Sequence, residues 1–176
     1  MNFEEIYHAS KDQIFNLVLQ YLQNIEDTEE VTQDVFVTVH EQLDNFQNKS
    51  TISTWIYRIA INKSLDFIKA KKAKKRFGFI TSIFGDRDGE LKYDQPNFDH
   101  PGVLMEQKEQ MELLFSHINA LPDTQKTALI LHKIEGKSQQ EIADIMNSTP
   151  KAVESLVQRA KTNLKKKITK KRRILR

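Results

Sequence analysis

The chain has 176 residues, 27 Lys and Arg against 24 Asp and Glu, and no cysteine. Without thiols neither a disulfide framework nor a thiolate metal site can form, and five scattered histidines, with no i, i+4 pair among them, argue against a histidine metal site. No run of about 18 apolar residues can span a bilayer, and the start MNFEEIYHASKD lacks the basic-then-apolar order of a signal peptide; a soluble, cytoplasmic chain is expected.

The net charge of +3 hides four blocks of alternating sign. Residues 1–48 sum to −9, 49–76 to +8, 77–123 to −6 and 124–176 to +10. Such blocks point to two basic surfaces for a polyanion and an acidic surface for a different partner. Helical periodicity dominates, and alternating strand patterns are scarce, so the expected class is all-α. Gly78, Gly85, Gly89, Pro96, Pro101 and Gly102 bunch within one window, with turn sequences DRDGE and DQPNFDHPG. This predicts a linker over 77–102 between two small helical domains, 1–76 and 103–176.

In the first domain, helices are expected over 2–10, 11–23, 27–44 and 53–76. Val31, Val35, Val39 and Leu43, with Phe36 beside them, form one buried stripe. Asp27, Glu29 and Glu30 suit the positive end of that helix dipole. Glu30, Gln33 and Asp34 fall on the opposite face, either as a solvated surface or as a docking patch. Ser53 is a good N-cap for the fourth helix, which buries Trp55, Ile56, Ile59 and Ala60 and ends in KAKKAKKR. Segment 45–62 interleaves Phe46, Trp55 and Tyr57 with amide and basic side chains, and Arg58 and Asn62 lie one turn apart on an expected exposed face. That mixture suits a single-stranded nucleic acid; the plainer alternative makes Trp55 and Phe46 core aromatics, and Trp55, on the Ile52 and Ile59 face, reads as core.

In the second domain, a helix near 103–119 is followed by one opening at Leu121-Pro122-Asp123 and stopping at Gly136. Ser138-Gln139-Gln140-Glu141 is a capping box. Thr149-Pro150 is an N-cap with Pro at the first helical position, and Asn147 tolerates the left-handed turn between. The pattern is a helix-turn-helix. Val153, Leu156, Val157, Ala160 and Leu164 face inward; Lys151, Ser155, Gln158, Arg159 and Thr162 face outward, as a helix reading the major groove requires. Lys165, Lys166, Lys167 and the tail Lys170-Lys171-Arg172-Arg173 extend the basic surface toward phosphates. A solvated helical hairpin is the plainer alternative. There is no phosphate loop or nucleophile elbow, and Asp86, Asp88 and Glu90 miss the EF-hand spacing. A non-enzyme without a cofactor is expected.

The chain resembles the bacterial RNA polymerase sigma factors of the extracytoplasmic-function group in the sigma-70 family. Three segments carry the resemblance: DTEEVTQDVF at 27–36, STWIYRIAIN at 53–62 and the helix-turn-helix following Leu121-Pro122. It implies a core RNA polymerase docking surface at Glu30, Gln33 and Asp34. It implies contacts to the melted minus-ten strand from Phe46, Lys49, Ser50, Thr51, Ser53, Arg58, Asn62 and Lys63. Phe46 and Asn62 match positions that hold a flipped base. Lys151, Glu154, Ser155, Gln158, Arg159 and Thr162 would read the minus-thirty-five duplex. The linker, with FGFITSIF at 77–84, would run toward the RNA exit path. An anti-sigma factor is an implied partner in many members. The sequence departs from the family at Glu154, where Arg or Lys is frequent, at Leu156, where Arg is, and at Asn147, where Gly is. A stand-alone helix-turn-helix regulator would explain 138–176 but leaves 45–62 without a role.

Overall fold

Asn2 opens the first helix with a reciprocal cap: its side chain accepts from the Glu5 N–H, and the Glu5 carboxylate accepts from the Asn2 N–H. In the computed structural model, which describes the backbone of residues 2–84 and 105–174 and the side chains of 2–76 and 110–169, every regular element among the described residues is helical. The first unit holds α1 (Phe3–Leu22), α2 (Ile25–Gln42), a short 3-10 turn (Leu43–Asn45) and α3 (Ile52–Phe84); the second holds α4 (Met105–Asn119), α5 (Asp123–Lys133), α6 (Gln139–Met146) and α7 (Pro150–Ile174). Most of the expected linker, residues 85–102, lies outside the described residues, as do Asp86, Asp88 and Glu90.

Several boundaries differ from expectation, for local reasons. Residues 2–23 were expected to form two helices, but α1 is unbroken. The Ser10 hydroxyl donates back to the Ile6 carbonyl at 2.6 Å, so it serves the helix interior instead of capping a new one. Asn24 caps α2 by accepting from the Asp27 N–H at 2.8 Å, two residues earlier than expected. Thr51, not Ser53, caps α3, accepting from the Thr54 N–H at 3.1 Å. Residue 76 does not end α3. Its Lys- and Ala-rich run consists of good helix formers, and the helix continues through Gly78 to Phe84.

α1, α2 and α3 pack mutually, burying Ile14, Leu17, Val18, Val31, Val35, Phe36 and Val39. Leu43 completes the stripe half-buried. In the second unit α5 and α6 pack on α7, and α4 leans on α7. Gly136, at φ +65°, terminates α5: it lets the Lys137 N–H turn back to the Leu131 carbonyl at 2.9 Å. The units also pack on each other, chiefly through α3 against α6. Ile56, Ala60 and Ile61 of α3 share one continuous apolar core with Leu131, Ile142 and Ile145.

Candidate nucleic-acid interface

The helix-turn-helix forms from the local signals expected of it. The Ser138 hydroxyl accepts from the Glu141 N–H, and the Ser138 N–H donates to the Glu141 carboxylate at 2.8 Å. Those bonds hold the Glu141 carboxyl below its ordinary range. Asn147 closes α6 in the left-handed conformation, φ 50°. Thr149 caps α7 by accepting from the Ala152 N–H at 3.2 Å. Val153, Val157 and Ala160 are buried, with Leu156 and Leu164 half-buried against the core. Packing therefore accounts for Leu156 where the family often has a cation. Lys151, Glu154, Ser155, Gln158, Arg159 and Thr162 are all exposed. The Ser155 and Thr162 hydroxyls donate to carbonyls one turn back, leaving their oxygen lone pairs toward solvent. α7 does not stop near Leu164 but runs on to Ile174, so Lys165 and Lys166 extend the same rod.

Glu30, Gln33 and Asp34 are exposed together on α2, opposite the buried Val stripe. Among the described residues no cation lies within ion-pair distance of Glu30 or Asp34. The patch is open, anionic and carried on a rigid helix.

The segment expected to meet single strand is more divided. Phe46 is half-buried, its ring 5.0 Å from that of Trp55, and Trp55 itself packs on the core. Asn48, in the left-handed conformation, turns the loop so that Lys49 is exposed beside half-buried Ser50. Thr51 is occupied as the cap and also donates to the Thr54 hydroxyl at 2.9 Å. Ser53 and Asn62 are exposed and Lys63 is half-buried.

Tyr57 and Arg58 correct the expectation. Tyr57 is 1% exposed, so it cannot stack on a base. Its hydroxyl donates to the Glu135 carboxylate at 2.9 Å, and the Lys137 ammonium stands 4.8 Å from its ring centre. Burial, with the Glu135 charge beside it, pushes the phenol far above its usual value. Arg58 is half-buried and does not face open solvent. Its guanidinium donates to the Asp144 and Ile145 carbonyls at the end of α6. Carbonyls at a helix C-terminus lack helical partners and carry the negative end of the dipole. They satisfy Arg58 as a phosphate would. A third bridge joins the units where the Tyr21 hydroxyl donates to that of Thr127 at 3.0 Å, both groups buried. Composition and periodicity could not reveal these pairings; the one signal, an Arg one turn from Asn62, fits either use.

Two family models match the chain in this order: sigma-70 region 2 over residues 6–74, across α1, α2 and most of α3, and sigma-70 region 4 over residues 112–164, from α4 into α7. The chain belongs to the sigma-70 family. It is similar to the extracytoplasmic-function RNA polymerase sigma factor SigW of Bacillus subtilis (strain 168), 29% identical over 170 residues, covering 94% of this chain and 88% of the relative. It is also similar to the sigma-E factor of Escherichia coli (strain K12), 28% identical over 158 residues, covering 88% and 80%. These relatives place the sigma factor in the extracytoplasmic-function group, whose members are initiation factors and not enzymes. Its fold matches the structure of CnrH in complex with the cytosolic domain of CnrY, with TM-score 0.64, 21% identity and coverage of 95% of this chain and 87% of that one. It also matches RpoE in complex with the anti-sigma factor NepR from Bartonella quintana, with TM-score 0.63, 18% identity and coverage of 95% and 96%. Among the described residues no helix is long and apolar enough to cross a membrane.

Proposed function

We propose that this sigma factor binds core RNA polymerase and directs it to specific promoters, with α7 reading the minus-thirty-five duplex and α3 capturing the melted minus-ten strand. The domains are then 1–76 for docking and melting, 77–102 as connection and 103–176 for duplex recognition. The observation that carries the proposal is the exposed polar face of α7, set between two well-formed caps and continued by lysines, in a chain that also matches region 2. A duplex-only regulator has no use for the second match. Glu30, Gln33 and Asp34 supply the polymerase-docking surface.

On the strand side, Phe46 and Asn62 hold an unstacked base, with Lys49, Ser50, Thr51, Ser53, Arg58 and Lys63 near the same strand. Unstacking costs a few kcal/mol per step, and capture of the base offsets part of it. Two weak contacts on one scaffold reinforce each other through effective concentration. An anti-sigma factor is a further proposed partner, as NepR is for RpoE, and the chain acts in the cytoplasm with its polymerase.

The test is transcription from a supercoiled promoter library by core enzyme with and without the chain. Promoter-specific starts are expected only with it; their absence overturns the proposal. In the same assay a Glu30→Lys, Asp34→Lys double variant should lose core binding in pull-down, and Asn62→Ala should reduce promoter opening by permanganate footprinting while leaving duplex binding intact.

A further inference from the structure

A second site lies between the units, away from the α3–α6 contact. It is a cavity of about 360 Å³, within the range of small-ligand pockets. Its apolar wall includes Tyr21, Phe67 and Ile68. Among the described residues four lysines line it, Lys71, Lys72, Lys75 and Lys126, against one carboxylate, Asp27. Asp27 is taken by Lys71 at 2.7 Å. Among the described residues Lys72 and Lys75 have no carboxylate within ion-pair distance.

Lys126 is the unusual member. It is 1% exposed, its ammonium is 3.8 Å from the Asp123 carboxylate, longer than a hydrogen bond, and it stands 5.5 Å from the centre of the Tyr21 ring. A buried ammonium paired only at long range with one half-exposed carboxylate is costly. Burial lowers its pKa, Asp123 opposes that only in part, and the nearby Lys72 adds to the lowering. Asn119 also lines the cavity, and among the described residues its buried side-chain oxygen accepts no hydrogen bond. Cations in excess call for an anion with several oxygens, because one carboxylate would serve only one or two of them. An orphan acceptor beside an apolar wall calls for a ring that carries a donor.

We propose that this cavity binds a nucleoside phosphate, with phosphate oxygens on Lys72, Lys75 and Lys126, the base or sugar against Phe67 and Ile68, and a donor on Asn119. Phe67, Ile68, Lys72 and Lys75 belong to α3, whereas Asn119 and Lys126 belong to the second unit. A ligand there therefore ties the two units together and stabilises their packed arrangement by linkage.

The experiment is calorimetric titration of the full chain, without divalent ions, using ATP, pyrophosphate and adenosine in turn. ATP is expected to bind with one-to-one stoichiometry, and pyrophosphate and adenosine each at least tenfold more weakly. Lys126→Met, which keeps the shape of a buried chain, and Lys75→Gln, on the exposed rim and harmless to folding, should each weaken ATP binding by about tenfold, the scale of one charge-assisted hydrogen bond. Asn119→Leu should weaken ATP but leave pyrophosphate unchanged. Three results overturn the proposal: no saturation by millimolar ATP, pyrophosphate binding as tightly as ATP, or ATP binding indifferent to both lysine substitutions. The last would place the ATP on the basic tail of α7 instead.

Discussion

The outer face of α7 and the polar face of α3 contain similar residues, yet the fold treats them oppositely. On α7 all six proposed reading residues are exposed. On α3, Tyr57 is buried and Arg58 is engaged by α6 carbonyls. Asn62 stands at the rim of a cavity of about 280 Å³ whose other walls include Asp123 and Met146 of the second unit. A helix C-terminus and a nucleic-acid backbone offer the same thing to a guanidinium, an array of partly negative oxygens. The face of α7 proposed to read duplex is thus open as folded, whereas part of the face of α3 proposed to meet single strand is covered by the second unit.

The largest expected effect on this contrast comes from Ile142→Ala. Ile142 is fully buried in the core shared by both units, and the truncation should cost about 2–5 kcal/mol. Because the core is continuous, thermal unfolding should stay a single transition at lower temperature. Two separated transitions would show that the units melt independently and that α6 does not hold α3 covered.

Arg58→Met should be next, at about 1.5–3 kcal/mol for hydrogen bonds to a charged donor, discounted because the group is half-exposed. Hydrogen exchange should accelerate at the end of α6, and small-angle scattering should report a larger chain. Unchanged exchange there would mean that Arg58 does not help to hold the units together.

Tyr57→Phe removes one interunit hydrogen bond to a carboxylate, worth about 1.5–3 kcal/mol before the discount for the partly exposed partner, and it also has a pH signature. Burial raises the Tyr57 and Tyr21 phenols above their ordinary value of 10.0. The folded chain keeps protons that the unfolded chain releases, so their contribution is intact below pH 10 and is lost as pH rises beyond it. Lys126, lowered by burial below 10.5, acts in the other sense: its penalty eases as pH rises toward that value. The denaturation midpoint should therefore fall above about pH 10 through the tyrosines, and Tyr57→Phe should flatten that fall. An identical alkaline slope in the variant would break the assignment.

The smallest effect on stability, within about 0.5 kcal/mol, is expected for Glu154→Lys on the open face. Its consequence should be a changed duplex preference in a binding-site selection, since a carboxylate can accept from cytosine where a lysine prefers guanine. The same selected sequences for both proteins would remove Glu154 from the reading face.

Caps and periodicity made the second unit the more legible one. Ser138, Glu141, Asn147, Thr149 and Pro150 each act within four residues of their own position, so α6 and α7 begin where the sequence predicts. Hydroxyl residues without such a partner were ambiguous. Ser10 could cap or bond back, and it bonds back; Thr51 and Ser53 could each cap α3, and Thr51 does. Lys126 gave no signal, because a lysine on a helix is ordinarily solvated.

The all-helical class, the alternation of acidic and basic blocks and the family motifs were legible in the sequence, and so were the starts of α6 and α7, whose caps act within a turn; the extents of α1 and α3 were not. Only the tertiary structure decided which polar groups meet solvent and which meet protein. Tyr57 finds Glu135 across 78 residues and Arg58 finds the α6 carbonyls across 86 and 87. No local pattern encodes such pairings; they exist because two apolar helix faces, once buried against each other, bring those particular side chains within reach.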